Sequence, residues 1–80
     1  MIVHIQLSFS LRYYATALEG HLEGDQLNVK EKATIEEVLK ILRIPENNDK
    51  LYFLNNIQVG PDQVLQDGDV LHISSAIAGG

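Results

Sequence analysis

Three histidines, an Asp-Gly-Asp triplet and a closing pair of glycines are the residues whose types and spacing bear on chemistry in this 80-residue chain, which holds no cysteine. The missing thiol removes Cys nucleophiles, disulfides, redox pairs and zinc knuckles together. His4, His21 and His72 have no third ligand at a spacing that closes a metal site, so no metal is expected. His21 reads as a solvated loop residue, while His4 and His72 share the open side of a sheet if the strands that carry them are neighbours. Asp67-Gly68-Asp69 brings two carboxylates close together, yet a turn is the simpler reading, because glycine supplies backbone freedom and aspartate caps the loop. Tyr13 and Tyr14 are open to two readings, partner contact or core packing of a short helix. There is no Ser-His-Asp arrangement to pursue.

What remains is Gly79-Gly80. With glycine near 7% of residues, two of them close a chain by chance about once in 200 sequences. The group they present is a backbone carboxylate on a tail without Cβ atoms, able to pass a narrow channel and to adopt φ values closed to other residues. Ala76-Ile77-Ala78 before them adds only small or apolar side chains, and the five residues together reach at most about 17 Å when extended.

Such a tail needs a body to hold it. Eighty residues fit one domain, with a core too modest for a deep enclosed active site. The composition, 45% hydrophobic and 21% charged, is that of a globular protein. A formal charge of −5, from 11 acidic against 6 basic side chains, offers no basic patch for a phosphate backbone, so nucleic acid is excluded as a partner. The opening Met1-Ile2-Val3-His4-Ile5 lacks both a basic region and a long apolar stretch, which leads us to expect neither signal peptide nor membrane span, and a cytoplasmic location.

Val3, Ile5, Leu7 and Phe9 alternate with His4, Gln6 and Ser8, which predicts a first strand over Ile2 to Phe9. Leu11, Tyr14, Ala15 and Leu18 then fall at helical spacing, giving a short helix that Gly20 stops. Leu27 and Val29 mark a brief second strand, paired antiparallel with the first. Thr34-Ile35-Glu36-Glu37 fits a capping box and starts the main helix, whose buried stripe is Ile35, Val38, Leu39 and Leu42; Pro45 ends it near Arg43 or Ile44. Asn55-Asn56 tolerates the positive φ of a tight hairpin between Leu51–Leu54 and Ile57–Val59. The turn at Asp67-Gly68-Asp69 leads into a fifth strand, Val70 to Ser74, with Leu71 and Ile73 facing the core. The result is an α+β domain with the main helix lying across one face of the sheet.

The order of these elements, the pattern Leu51…Asn55-Asn56…Val59…Leu65-Gln66-Asp67-Gly68-Asp69-Val70 and the ending Ala76-Ile77-Ala78-Gly79-Gly80 resemble the MoaD/ThiS family of sulfur carriers over essentially the whole chain. The resemblance implies a ubiquitin-like β-grasp fold, with a mixed five-stranded sheet on one main helix and a second short helix. It also implies a domain over residues 1–75 and a flexible tail over 76–80. Phe9-Ser10-Leu11-Arg12-Tyr13-Tyr14 through Gly20 is similar to a segment of the molybdopterin synthase small subunit, which places that branch ahead of the thiamin carriers. Asn56 stands where glycine is common, and Ser74-Ser75-Ala76 replaces the proline-containing stretch usual in that branch; the closing five residues are at least as typical of thiamin carriers.

In that family the chain is not itself an enzyme. A carboxylate is a poor electrophile, so a ubiquitin-activating-like adenylating enzyme uses ATP and magnesium to convert the terminal carboxylate, here that of Gly80, into an acyl adenylate. Sulfur from a donor such as a cysteine desulfurase displaces AMP, and the resulting thiocarboxylate delivers its sulfur inside a large subunit or synthase. The resemblance thus assigns the reacting group to Gly80, tail contacts to Gly79, Ala78 and Ile77, and no bound cofactor. A protein modifier joined through Gly80 to lysines would show nearly the same sequence, and a β-grasp interaction module with an idle Gly-Gly is a third reading. Alternation along the third strand leads us to expect Tyr52 and Leu54 on the sheet face opposite the helix, as part of the surface that docks a partner.

Overall fold

A computed structural model of the chain describes residues 1–8, 11, 25–45 and 49–75. The short helix expected over Leu11 to Leu18, and with it Tyr13, Tyr14 and His21, lies almost wholly outside the described residues, as do Ile77, Ala78, Gly79 and Gly80. The elements are β1 (Ile2–Leu7), β2 (Gln26–Asn28), α1 (Ile35–Leu42), β3 (Lys50–Leu54), β4 (Ile57–Val59) and β5 (Val70–Ser75). They form one mixed sheet in the order β2-β1-β5-β3-β4, in which only the central pair, β1 and β5, runs parallel.

The core lies between α1 and one face of the sheet. Ile35, Val38, Leu39 and Leu42 of the helix are each at most 1% exposed, and they share a cluster with Val3 and Ile5 of β1 and Leu71 and Ile73 of β5, as the two periodicities require. Leu7 packs at its margin, and Leu27, Leu65, Ala33 and Ile44 complete it.

The start of α1 is built differently from the capping box its sequence predicts. Thr34 takes an extended N-cap conformation but makes no side-chain cap hydrogen bond. The free N–H groups of Ile35 and Glu36 instead donate to the carbonyls of Gln63 and Pro61, at 3.1 and 3.0 Å. Thr34 also bridges Val64, and Leu65 N–H donates to Ala33 O at 2.8 Å. Long-range backbone acceptors thus satisfy the first two donors of the helix, and Glu37 N–H, the donor a capping-box hydroxyl would serve, donates to Thr34 O at 3.1 Å. The other end closes where expected, with Arg43 in the left-handed region at φ 57° and Ile44 N–H returned to Leu39 O at 2.9 Å.

Both residues of the β3–β4 hairpin turn have positive φ, Asn55 at 51° and Asn56 at 71°, the signature of a two-residue turn whose twist suits the strands. Gly68 at φ 86° turns the chain into β5.

Candidate functional site

β5 is the strand that leads into residues 76–80, and it is held on both sides. β1 pairs with it from His4↔Val70 to Leu7↔Ile73, and β3 pairs with it over five positions, from Leu54↔Leu71 to Lys50↔Ser75. Beyond the last pair of β1, Ser8 N–H donates to Ile73 O at 3.0 Å. Lys50, opposite Ser75 at the end of β5, has a side chain only 7% exposed, and its Nζ donates to Asp49 Oδ1 at 2.7 Å.

The entry to β5 is fixed by the Asp-Gly-Asp triplet, which serves as a turn. Asp67 Oδ1 accepts from the backbone N–H of Ile2 at 2.8 Å, and Asp69 Oδ2 accepts from that of Gln66 at 2.7 Å. Asp69 Oδ1 takes a third hydrogen bond, from Asn55 Nδ2 at 3.0 Å. Asn55 meanwhile accepts from Val70 N–H through its Oδ1 at 3.0 Å and donates its own N–H to Val70 O at 2.9 Å. Reading Asn55 as a turn residue alone misses this second task, which ties the hairpin to the start of β5. The only sequence signal for it is a side chain of mixed donor and acceptor character ahead of an acidic turn.

Register fixes which residues share the face away from α1. Tyr52 pairs with Ile73, and Leu54 with Leu71, so both belong to the helix side; Tyr52 is 5% exposed within the core and Leu54 packs against it. This reverses the orientation expected for Tyr52 and Leu54. In Leu51-Tyr52-Phe53-Leu54 both parities are apolar, so alternation alone cannot say which is inward. The open face of β3 is formed by Leu51 and Phe53, both half-buried. Around them lie Ile2, His4 and Gln6 of β1 and Val70, His72 and Ser74 of β5.

His4 and His72 do share this face, because β1 and β5 are neighbours. His4 Nδ1 lies 3.4 Å from Asp25 Oδ1 at the margin of the sheet. His72 stands in the middle strand and makes a T-shaped pair with Phe53, at a centroid distance of 6.2 Å and an interplanar angle of 76°. Among the described residues no cluster of three metal-ligating side chains occurs. No helix among them is long and apolar enough to cross a membrane. On the far side, a groove of about 620 Å³ runs between α1 and the exit of β2, floored by Val29, Ala33 and Ile41 and rimmed by Lys40 and the Lys30–Glu37 ion pair, 3.3 Å apart.

No protein-family model matches the sequence, and no curated protein matches it. Solved structures do. SAMP1 from Haloferax volcanii superposes with a TM-score of 0.74 at 16% identity, covering the whole of both chains. A Pyrococcus furiosus protein named "Putative molybdopterin converting factor, subunit 1" gives 0.72 at 17% identity, over 96% of this chain and 99% of that one. Superposition over nearly the whole of each chain, with TM-scores above 0.7 at such low identity, establishes that this protein, with its five-stranded mixed sheet and one described helix, has the ubiquitin-like β-grasp fold.

Proposed function

We propose that the chain is a sulfur carrier of the MoaD/ThiS type whose working group is the Gly80 carboxylate, and that its sulfur goes into molybdopterin. The observation that carries this reading is the joining of a central, doubly paired strand to a tail ending Gly79-Gly80. The fold shared with a protein named as subunit 1 of a molybdopterin converting factor supports it and supplies the partner reading, docking to a second, larger subunit.

In the proposed reaction an oxygen of the Gly80 carboxylate attacks the α-phosphorus of ATP on the adenylating partner, and pyrophosphate leaves. Sulfur at the sulfide level, from a donor such as a cysteine desulfurase with its reductant, attacks the acyl carbon, and AMP leaves. The thiocarboxylate that remains is a nucleophile ready for the acceptor in the large subunit. The chain's own part is to bind and present. Ile77 and Ala78 contact the walls of the partner's channel, Gly79 passes its narrowest point, and the open sheet face, centred on Leu51, Phe53 and Val70, holds the body in place.

Incubation with ATP, magnesium, the adenylating enzyme of the same genome and a sulfur donor tests the reading through its variants. Deleting Gly80, or adding residues after it, is expected to abolish thiocarboxylate formation and leave thermal stability nearly unchanged, because a terminal segment adds little to the fold. Gly79→Phe is expected to slow the reaction severely. Unchanged sulfur loading in the Gly80 deletion would overturn the proposal, and isopeptide linkage of Gly80 to lysines without sulfur transfer would replace it with the modifier reading.

A further inference from the structure

The chain has four lysines, Lys30, Lys32, Lys40 and Lys50, and all of them lie among the described residues. A lysine amine attacks activated acyl groups, so the place of each one relative to the root of the tail bears on the chemistry proposed above. Lys30 and Lys32 follow β2, whose last residue, Asn28, pairs with Ile2 at the start of β1. β5 runs parallel to β1 and continues to Ser75 beyond the pair Leu7↔Ile73, so its exit is at the opposite end of the sheet. Lys40 is on α1 and rims the groove that Lys30 also lines. Lys50 alone of the four stands on a strand beside β5, directly opposite Ser75.

Paired residues of adjacent antiparallel strands have Cα atoms about 5 Å apart, while five residues span at most about 17 Å. Residues 76–80 are thus long enough to fold back and bring Gly80 to the Lys50 side chain, and Gly79 lacks the Cβ that would hinder such a turn. Lys50 is also the lysine most shielded from reaction. Its side chain is 7% exposed and its Nζ donates to Asp49 Oδ1 at 2.7 Å. The Lys30 side chain, paired with Glu37, is 76% exposed, and Lys32 and Lys40 are exposed. The amine at the root of the tail is therefore the one held back, by burial of its stem and by the carboxylate of the preceding residue.

We propose that Asp49 is a positioning residue that protects the tail: by holding Lys50 in place it prevents the activated Gly80 from acylating its own chain, and leaves sulfur as the nucleophile. The inference rests on the reading of Gly80 as the activated group. The side reaction needs no further reagent. The unprotonated Lys50 Nζ attacks the acyl carbon of the Gly80 adenylate, the bond from that carbon to the AMP oxygen breaks, AMP leaves as the anion and the amine proton passes to water. An amide then joins Gly80 to Lys50, and the tail is consumed. An ammonium has no lone pair with which to attack, and a side chain held by packing and a hydrogen bond does not reach the geometry of attack. Asp49→Ala removes that hydrogen bond, and the side chain gains freedom to turn to water, where a lysine keeps a small unprotonated fraction in mildly alkaline buffer.

Two measurements on the full chain test this, with the wild type, Asp49→Ala, Asp49→Leu and the double variant Asp49→Ala/Lys50→Arg. Asp49→Leu keeps the size of the side chain and serves in place of Asp49→Ala should that variant fail to fold. In the first measurement, acetylation by an N-hydroxysuccinimide ester in mildly alkaline buffer is mapped by mass spectrometry with no partner present. Lys50 is expected to be the slowest of the four lysines in the wild type and to rise to the rate of Lys32 in the Asp49 variants, with Lys30 and Lys40 unchanged. In the second, ATP, magnesium and the adenylating enzyme of the same genome are supplied without a sulfur donor. The wild type is expected to keep its mass, Asp49→Ala to give an ATP-dependent species lighter by one water with Gly80 joined to Lys50, and the double variant to give none. Unchanged Lys50 labelling in the Asp49 variants, or a wild type that itself forms the Gly80–Lys50 amide, would overturn the inference. A parallel incubation with the sulfur donor separates the two claims: if Asp49→Ala forms thiocarboxylate there but no amide in the donor's absence, only the inference fails; if the wild type forms no thiocarboxylate, the reading of Gly80 fails and takes the inference with it.

Discussion

Asn55 combines two requirements that few side chains meet together. Its φ of 51° places it where a side chain with a Cβ is strained, and asparagine tolerates that region better than most. Its amide then bridges Asp69 and the backbone of Val70. Asn55→Ala is expected to cost about 2 kcal/mol in a urea melt, from left-handed strain and lost hydrogen bonds together. Asn55→Gly relieves the strain but keeps the hydrogen-bond loss, so it should cost about 1 kcal/mol. Equal losses for the two would show that the backbone conformation contributes nothing. Positive φ at Asn55 and Asn56 is readable from the residue types, because the left-handed preference is intrinsic to them. The link to Asp69 is not, because it depends on where β5 enters the sheet, 14 residues away in sequence. The same distinction separates Gly68, whose turn is local, from Tyr52, whose inward aim is decided by its pairing with Ile73.

The start of α1 shows how an element can follow its sequence pattern in extent and depart from it in mechanism. Thr34-x-x-Glu37 marks the helix start correctly, but its hydroxyl caps nothing: Ile35 and Glu36 N–H donate to Gln63 and Pro61, and Glu37 N–H donates to the carbonyl of Thr34. Thr34→Ala is therefore expected to change stability by within about 0.5 kcal/mol, where a residue acting as a side-chain cap would cost about 1 kcal/mol. Chemical denaturation distinguishes the two, and a loss well above 1 kcal/mol would mean that the hydroxyl matters after all. Leu39, at 1% exposure on the inward face of the helix, is the opposite case: Leu39→Ala should cost about 2 to 5 kcal/mol and threaten the domain as a whole. The helix stripe and the alternation in β1 and β5 were readable because each puts apolar residues on a single face. β3 was readable as a strand but not as an orientation, since both its faces carry apolar side chains. The partner pairings of the strands come from tertiary assembly, which alternation within one strand does not encode.

At the scale of the whole molecule, the proposed function makes the domain a holder. Its described side chains make turns, a core and a face without fixed charge, and the proposed chemistry resides in a backbone group of the tail. That division explains why the candidate reacting group could be named from Gly79-Gly80 and from resemblance alone, while the proposed docking face could not: the chemistry proposed for the tail is covalent and local, and the face exists only once five strands are in register. The central claim, that Gly80 is where sulfur is loaded, is tested most directly by fragmenting the intact protein in a mass spectrometer after incubation with ATP, magnesium, the adenylating enzyme and a sulfur donor. The account predicts one oxygen exchanged for sulfur in the C-terminal fragment that contains Gly80, dependent on ATP and reversed by alkaline hydrolysis. A protein that keeps its carboxylate oxygen throughout, or sulfur located on any other residue, would contradict it.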